Sequence, residues 1–143
     1  MRIEDLRNGN YVDVYVEGKK TRYIVVNVDI NSQIATLRDW TNRSKFYEVS
    51  KDEWNSVKDV LMTESELRKL GFVYDDKKMV YMLPGNGAWV YKNIVLVTKY
   101  NGCYDLIIRE DKAFYGCKAI RVPFVHLLQN AVIDNYGFEL SYV

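Results

Sequence analysis

His126, Cys103 and Cys117 are the residues on which acid–base or nucleophilic chemistry could rest, because the chain holds one histidine and two cysteines. A Cys–His–Asn hydrolase would need a thiolate beside an imidazole that a third group orients. Asn130 stands four residues after His126, one turn along the same predicted helix. That is a poor place from which to hold the ring. A catalytic histidine would also want a carboxylate within hydrogen-bond reach, and this helix offers only Asp134, two turns further on. If REDK (109–112) is a hairpin tip, Cys103 faces Lys118 and Cys117 faces Tyr104, and a one-residue bulge would set the two sulfurs opposite each other. Two cysteines and one histidine fall short of a four-ligand structural zinc site. Reduced, partly buried thiols are the expectation for a cytoplasmic protein.

The other chemical motifs reduce to turns. LPGNGAWV (83–90) is glycine-containing but lacks the GK[ST] and the following helix of a phosphate loop. Asp75–Asp76 and Glu110–Asp111 sit beside lysines at predicted hairpin tips, where solvated carboxylates cap turns. The residue types therefore point to no enzyme, no metal and no cofactor.

What remains is recognition. On the predicted helix Pro123–Tyr136, His126, Gln129 and Asn130 share one polar side, opposite an apolar stripe of Phe124, Leu127, Leu128, Ala131 and Val132. They form a candidate binding cluster or a set of structural hydrogen bonds. The stronger signal is aromatic: twelve of 143 residues are tyrosine. Tyrosine suits strands and interfaces, where a ring and a hydrogen-bonding tip are both useful. If Val12, Val14 and Val16 point inward, Tyr11 and Tyr15 point outward, with Tyr23 joining them from the next strand and Trp40 close by. Lys19, Lys20, Arg22, Arg43 and Lys45 lie in the adjoining turns. Such a face fits an extended peptide or single-stranded nucleic acid, unless it packs against the rest of the chain.

These residues need elements to position them. Strict alternation in YVDVYV (11–16) and in Ile24, Val26, Val28 and Ile30 predicts strands with one buried face. Ile34–Arg38 and KFYEV (45–49) add two more. MTESELRKLGF (62–72) predicts a two-turn helix: Thr63 as N-cap, Glu66 completing a capping box, Met62 and Leu67 as a hydrophobic staple, and Gly71 as the left-handed stop. From Phe72 to Val122 the pattern returns to strands, including a hairpin around DDKK. Pro123 at N1 opens the last helix, Gly137 stops it, and FELSYV closes the chain as a possible strand. The fold class is α+β: an SH3-like small barrel or bent sheet over 1–50, then an antiparallel sheet with two helices over 51–143, expected to act as one cooperative unit.

Composition sets outer limits. Lys plus Arg is 20 and Asp plus Glu is 19, and residues 1–60 carry ten of each sign. Nucleic-acid binders usually show a basic excess, so that class is weakened but not removed. No apolar run approaches the roughly 20 residues of a membrane span, and MRIEDLRNGN lacks a secretory core. The expectation is a cytoplasmic protein. Nothing in the sequence specifies an oligomeric state.

Three stretches, RIEDLRNGNYV, LMTESELRKLGF and VHLLQNAVIDNYGFEL, together resemble a family of small uncharacterised proteins carried by phages and mobile elements of gut bacteria. The likeness spans nearly the whole chain and departs at Phe138, where that pattern is usually polar. It implies a genetic context and no activity. The expected function is a non-enzymatic accessory protein that binds a host or phage protein. The alternative is a nucleic-acid-binding module using the tyrosine face and basic turns.

Overall fold

A computed structural model describes residues 2–84, 95–109 and 117–143. The fold is α+β, with two five-stranded antiparallel sheets carried by two compact units, residues 1–60 and 61–143. The first unit reaches Val60 because a short strand at 57–59 pairs with the first strand. No described helix is long and apolar enough to cross a membrane.

In the N-terminal unit a 3₁₀ turn (Ile3–Asp5) precedes β1 (Tyr11–Val16), β2 (Lys19–Asp29), β3 (Ile34–Asp39) and β4 (Phe46–Val49). A second 3₁₀ turn (Lys51–Ser56) leads into β5 (Val57–Asp59). The order is β4-β3-β2-β1-β5, so β4 and β5 are the two edges of an open sheet. Glu17 and Gly18 join β1 to β2, both with positive φ (51° and 76°). That is the two-residue turn whose twist matches paired strands. Val12, Val14, Tyr23, Val25, Ala35, Leu37, Val49 and Val57 pack on one face, closed by Ile3 and Leu6.

The alternation is right in direction for Val12 and Val14 of β1, although Val16 is 53% exposed and Tyr11 is buried, and it is wrong for the first half of β2. Val12 lies opposite Tyr23, so the tyrosine points with the valines into the core, while Ile24 lies opposite Tyr11 on the other face. The register then shifts between Val25 and Asn27, leaving Val26 as an extra residue in a β-bulge. Past the bulge Val28 lies opposite Ala35 and packs on the core again. Both Val25 and Val28 thus serve the core although they are three residues apart.

The C-terminal unit contains α1 (Glu64–Lys69), β6 (Val73–Asp75), β7 (Val80–Leu83), β8 (Val95–Tyr100), β9 (Cys103–Arg109), β10 (Cys117–Arg121) and α2 (Val125–Tyr136). Its strands follow one another in the order β10-β9-β8-β7-β6. The Asn101–Gly102 pair turns β8 into β9, again with two positive φ values (50° and 76°). The buried side chains Val97, Tyr104, Leu106, Leu67, Leu70, Phe72, Val125, Leu128 and Val132 belong to this unit's sheet and helices.

Helix α1 forms as its sequence dictates. The Thr63 hydroxyl accepts a hydrogen bond from the Glu66 amide at 3.1 Å, and Met62 and Leu67 are both buried. At the other end the Phe72 amide donates to the Leu67 carbonyl (2.9 Å) and the Gly71 amide to the Arg68 carbonyl (3.0 Å). These are the paired bonds of a Schellman stop, with Gly71 at φ +94°. A methyl group there would sit 3.4 Å from side-chain atoms of Leu83 and Val143. Gly71→Ala is expected to lower unfolding free energy by about 1–2 kcal/mol, mostly from the left-handed backbone. Chemical denaturation measures it, and an unchanged midpoint would contradict that origin.

Three expectations are corrected here. Pro123 lies outside α2: Phe124 is the N-cap, and the Pro123 carbonyl instead accepts from the Met62 amide at 2.9 Å. FELSYV is not a strand; it is an irregular segment held by Gln129 Nε2 donating to the Leu140 carbonyl (2.9 Å), the Val143 amide donating to the Lys69 carbonyl (2.8 Å), and the Tyr142 hydroxyl donating to Glu66 (2.6 Å). The β9–β10 hairpin is wider than REDK, since Cys117 lies opposite Arg109 and Arg121 opposite Asp105. Cys103 is at the far end of β9, about 20 Å along the strand from Arg109. The two cysteines are therefore not cross-strand neighbours. The LPGNGAWV loop beyond Pro84 and the Glu110–Asp111 pair lie outside the described residues.

Candidate functional site

Antiparallel partners share a face, so the register assembles the non-core side of the N-terminal sheet residue by residue. One row runs Phe46–Arg38–Ile24–Tyr11 across four strands. The next runs Lys58–Asp13–Arg22 across β5, β1 and β2, and a third pairs Tyr15 with Lys20. Of the residues singled out from the sequence, Tyr11, Tyr15, Lys20 and Arg22 are brought onto this face. Trp40 joins them by meeting the Tyr11 ring edge-on at 5.5 Å. Tyr23 is not among them: it lies in the core, 6.2 Å from the Tyr47 ring.

Burial divides the face in two. Around Tyr11 it is closed: Tyr11 and Asp13 are buried, and Arg22 is nearly so. Arg22 grips Asp13 with a two-pronged contact, Nε to Oδ1 at 2.6 Å and Nη2 to Oδ2 at 3.3 Å. This arginine is a structural partner for a buried carboxylate. Toward β4 and the β1–β2 turn the face opens: Phe46 is 56% and Tyr15 44% exposed, with Lys20, Lys58 and Glu48 exposed beside them. Arg38 is half-buried between Phe46 and Ile24, and its Nε is buried without a hydrogen-bond acceptor among the described residues. A buried donor in that condition costs about 1–3 kcal/mol.

The β3–β4 turn beside Phe46 is fixed by Asp39. Its Oδ1 accepts from the Thr41 amide (2.8 Å), the Thr41 hydroxyl (2.9 Å) and the Asn42 amide (3.2 Å). Burial pushes this carboxyl up, but those hydrogen bonds, with Lys45 nearby, outweigh it and hold the group below its ordinary range. The turn thus displays exposed Arg43 and Lys45 on a rigid support.

The α2 cluster is interior. His126, Gln129 and Asn130 are all buried, not on an outward polar side. The His126 ring stacks on Phe124 in nearly parallel planes, 6.0 Å between centroids, and Gln129 secures the Leu140 segment. No group of three or more metal-binding side chains occurs among the described residues.

Phe46 and Arg38 are the residues that sequence reasoning missed. The signal was available: with Val49 and Tyr47 inward, Phe46 falls outward by the same two-residue period. No protein-family model, curated protein or solved structure matches this chain.

Proposed function

We propose that this is a non-enzymatic accessory protein of a phage or mobile element, which binds a host or phage protein through the open half of its N-terminal sheet. The observation that carries the proposal is Phe46, 56% exposed and paired across the strands with the half-buried Arg38. Aromatic rings and arginine are the residue types enriched where protein partners bury surface, and Tyr15 is a second exposed ring on the same face, beyond the closed centre. The strand order, with a 3₁₀ turn leading into β5, supports an SH3-like description of the unit. The sequence likeness supports the genetic context, and the cytoplasm is the compartment that context implies.

The test compares the intact chain with Phe46→Ala, Arg38→Ala and Tyr15→Ala in affinity purification from host lysate, with and without nuclease. A stoichiometric protein retained by the parent through nuclease treatment should be weakened about thirtyfold by Phe46→Ala, the scale of an interface hot spot. Retention that all three variants leave unchanged would rule this face out.

A second reading rests on the cations of the same face. Lys20, Arg38 and Lys58, with Arg43 and Lys45 in the adjoining turn, outnumber the exposed Glu48, and Tyr15 and Phe46 offer rings for base stacking. Single-stranded nucleic acid would then bind with affinity that falls steeply as salt rises. Salt-independent binding, or none, would remove this alternative. The near-zero net charge of the chain ranks it second.

A further inference from the structure

The C-terminal unit holds a cavity of about 210 Å³ between α1, the β6–β7 hairpin and β8, lined by Glu64, Arg68, Tyr74, Met79, Tyr81 and Lys99. Its charges are arranged unequally. The Tyr81 hydroxyl donates to Glu64 at 2.5 Å, and the Lys99 ammonium lies 3.7 Å from the same oxygen. The Tyr81 hydrogen bond, then the Lys99 charge, hold Glu64 below the usual carboxylate range, so it stays ionised and occupied. Arg68 lines the same cavity one turn along α1 from Glu64, whose carboxylate its charge also lowers, but it makes no side-chain hydrogen bond or close ion pair among the described residues. The lining therefore carries one carboxylate and two cations, and the hydrogen-bonding fork of the guanidinium is unused among the described residues.

The walls are aromatic and apolar. Tyr74 meets Tyr81 edge-on at 4.9 Å and remains 40% exposed, and the Met79 side chain is 70% exposed at the mouth. Met79 holds a left-handed backbone (φ 55°), which fixes the hairpin end that presents it. The volume equals about seven water molecules, room for one six-membered ring with a single acidic group.

We propose that this cavity binds a small aromatic carboxylate. The acid group would be taken by the planar Arg68 guanidinium, which matches a carboxylate with two parallel hydrogen bonds. The ring would lie against Tyr74 and the Met79 side chain. Glu64 excludes a second negative charge from the inner wall, so a monoanion is preferred over a dianion.

Benzoate is the probe, with benzamide as a neutral isostere, benzylammonium as the charge-reversed one and phthalate as the dianion. Each is titrated into the intact chain and followed by amide chemical shifts. Benzoate should saturate shifts centred on Arg68, Tyr74, Met79 and Lys99, and the other three should bind at least roughly tenfold more weakly. Arg68→Gln and Tyr74→Leu should each weaken benzoate by a similar factor, while the spectra elsewhere show an unchanged fold. Lack of saturation, equal binding of benzamide, or benzoate binding that survives Arg68→Gln in a folded variant would overturn the proposal.

Discussion

Asp13→Ala is expected to destabilise the N-terminal unit by about 3–5 kcal/mol, the scale for removing one partner of a buried ion pair. Asp13 and Arg22 have side chains only 8% and 17% exposed, and they meet through two contacts on adjacent strands. Removing the carboxylate leaves a guanidinium that can neither neutralise nor reach water easily. The loss therefore includes the cost of stripping a poorly solvated charge of its carboxylate as well as the worth of the pair. The double variant Asp13→Leu with Arg22→Met separates the two, because replacing both by apolar groups of similar size should restore most of the stability. Urea denaturation of the parent, the single and the double variant gives the three values. A single-variant loss under about 1 kcal/mol would mean the pair behaves as a solvated surface contact.

Leu67→Ala is expected to cost the C-terminal unit about 2–5 kcal/mol. Leu67 is fully buried, and it sits both at the staple position of α1 and at the carbonyl that receives the Schellman bond from Phe72. The main-chain bond survives the substitution, and alanine is the better helix former, so the loss is packing alone. Leu61→Ala is the control: that leucine is 65% exposed and should change stability by no more than about 0.5 kcal/mol. If the two variants unfold at the same denaturant concentration, Leu67 is not the anchor its burial implies.

Helix α1 was legible at its start and stop because each of these signals is local: a hydroxyl reaching three residues on, a glycine where φ must turn positive, and apolar residues at the staple positions. The Glu66 carboxylate, expected to complete a capping box, meets Tyr142 and Lys69. Val12 and Val14 of β1 and the hairpin around DDKK were legible for the same reason, whereas Val16 is exposed. Asp75 accepting from the Lys77 and Lys78 amides is a bond spanning three residues. Tyr23 was misplaced because the first half of β2 offers two rival phases, Ile24–Val26 and Tyr23–Val25. Only pairing with β1 chooses between them. The β9–β10 register failed because the hairpin is longer than its most polar residues suggest. His126 and Gln129 read as a surface cluster because helical spacing reveals a shared side but not what covers it. The Leu140 segment that receives Gln129 lies eleven residues further along the chain. Of the candidate face, the register confirmed the neighbourhood of Tyr11, Tyr15, Lys20 and Arg22, while burial showed which part of it can be touched.

The bulge in β2 has a consequence for how the N-terminal sheet tolerates change in chain length. On either side of Val26 the partners run Val25 with Leu37, Asn27 with Thr36 and Val28 with Ala35, an unbroken ladder apart from the one residue that faces no counterpart. Strand β2 thus contains one residue more than its pairing uses, an insertion already absorbed. Losing that residue would leave each of these pairs intact and straighten the strand. Losing Val25 or Asn27 would be absorbed in the same way, with Val26 taking the vacated pairing, whereas a loss further along the strand would set wrong side chains toward the core. In β2 the tolerance for a lost residue is concentrated at the bulge around Val26.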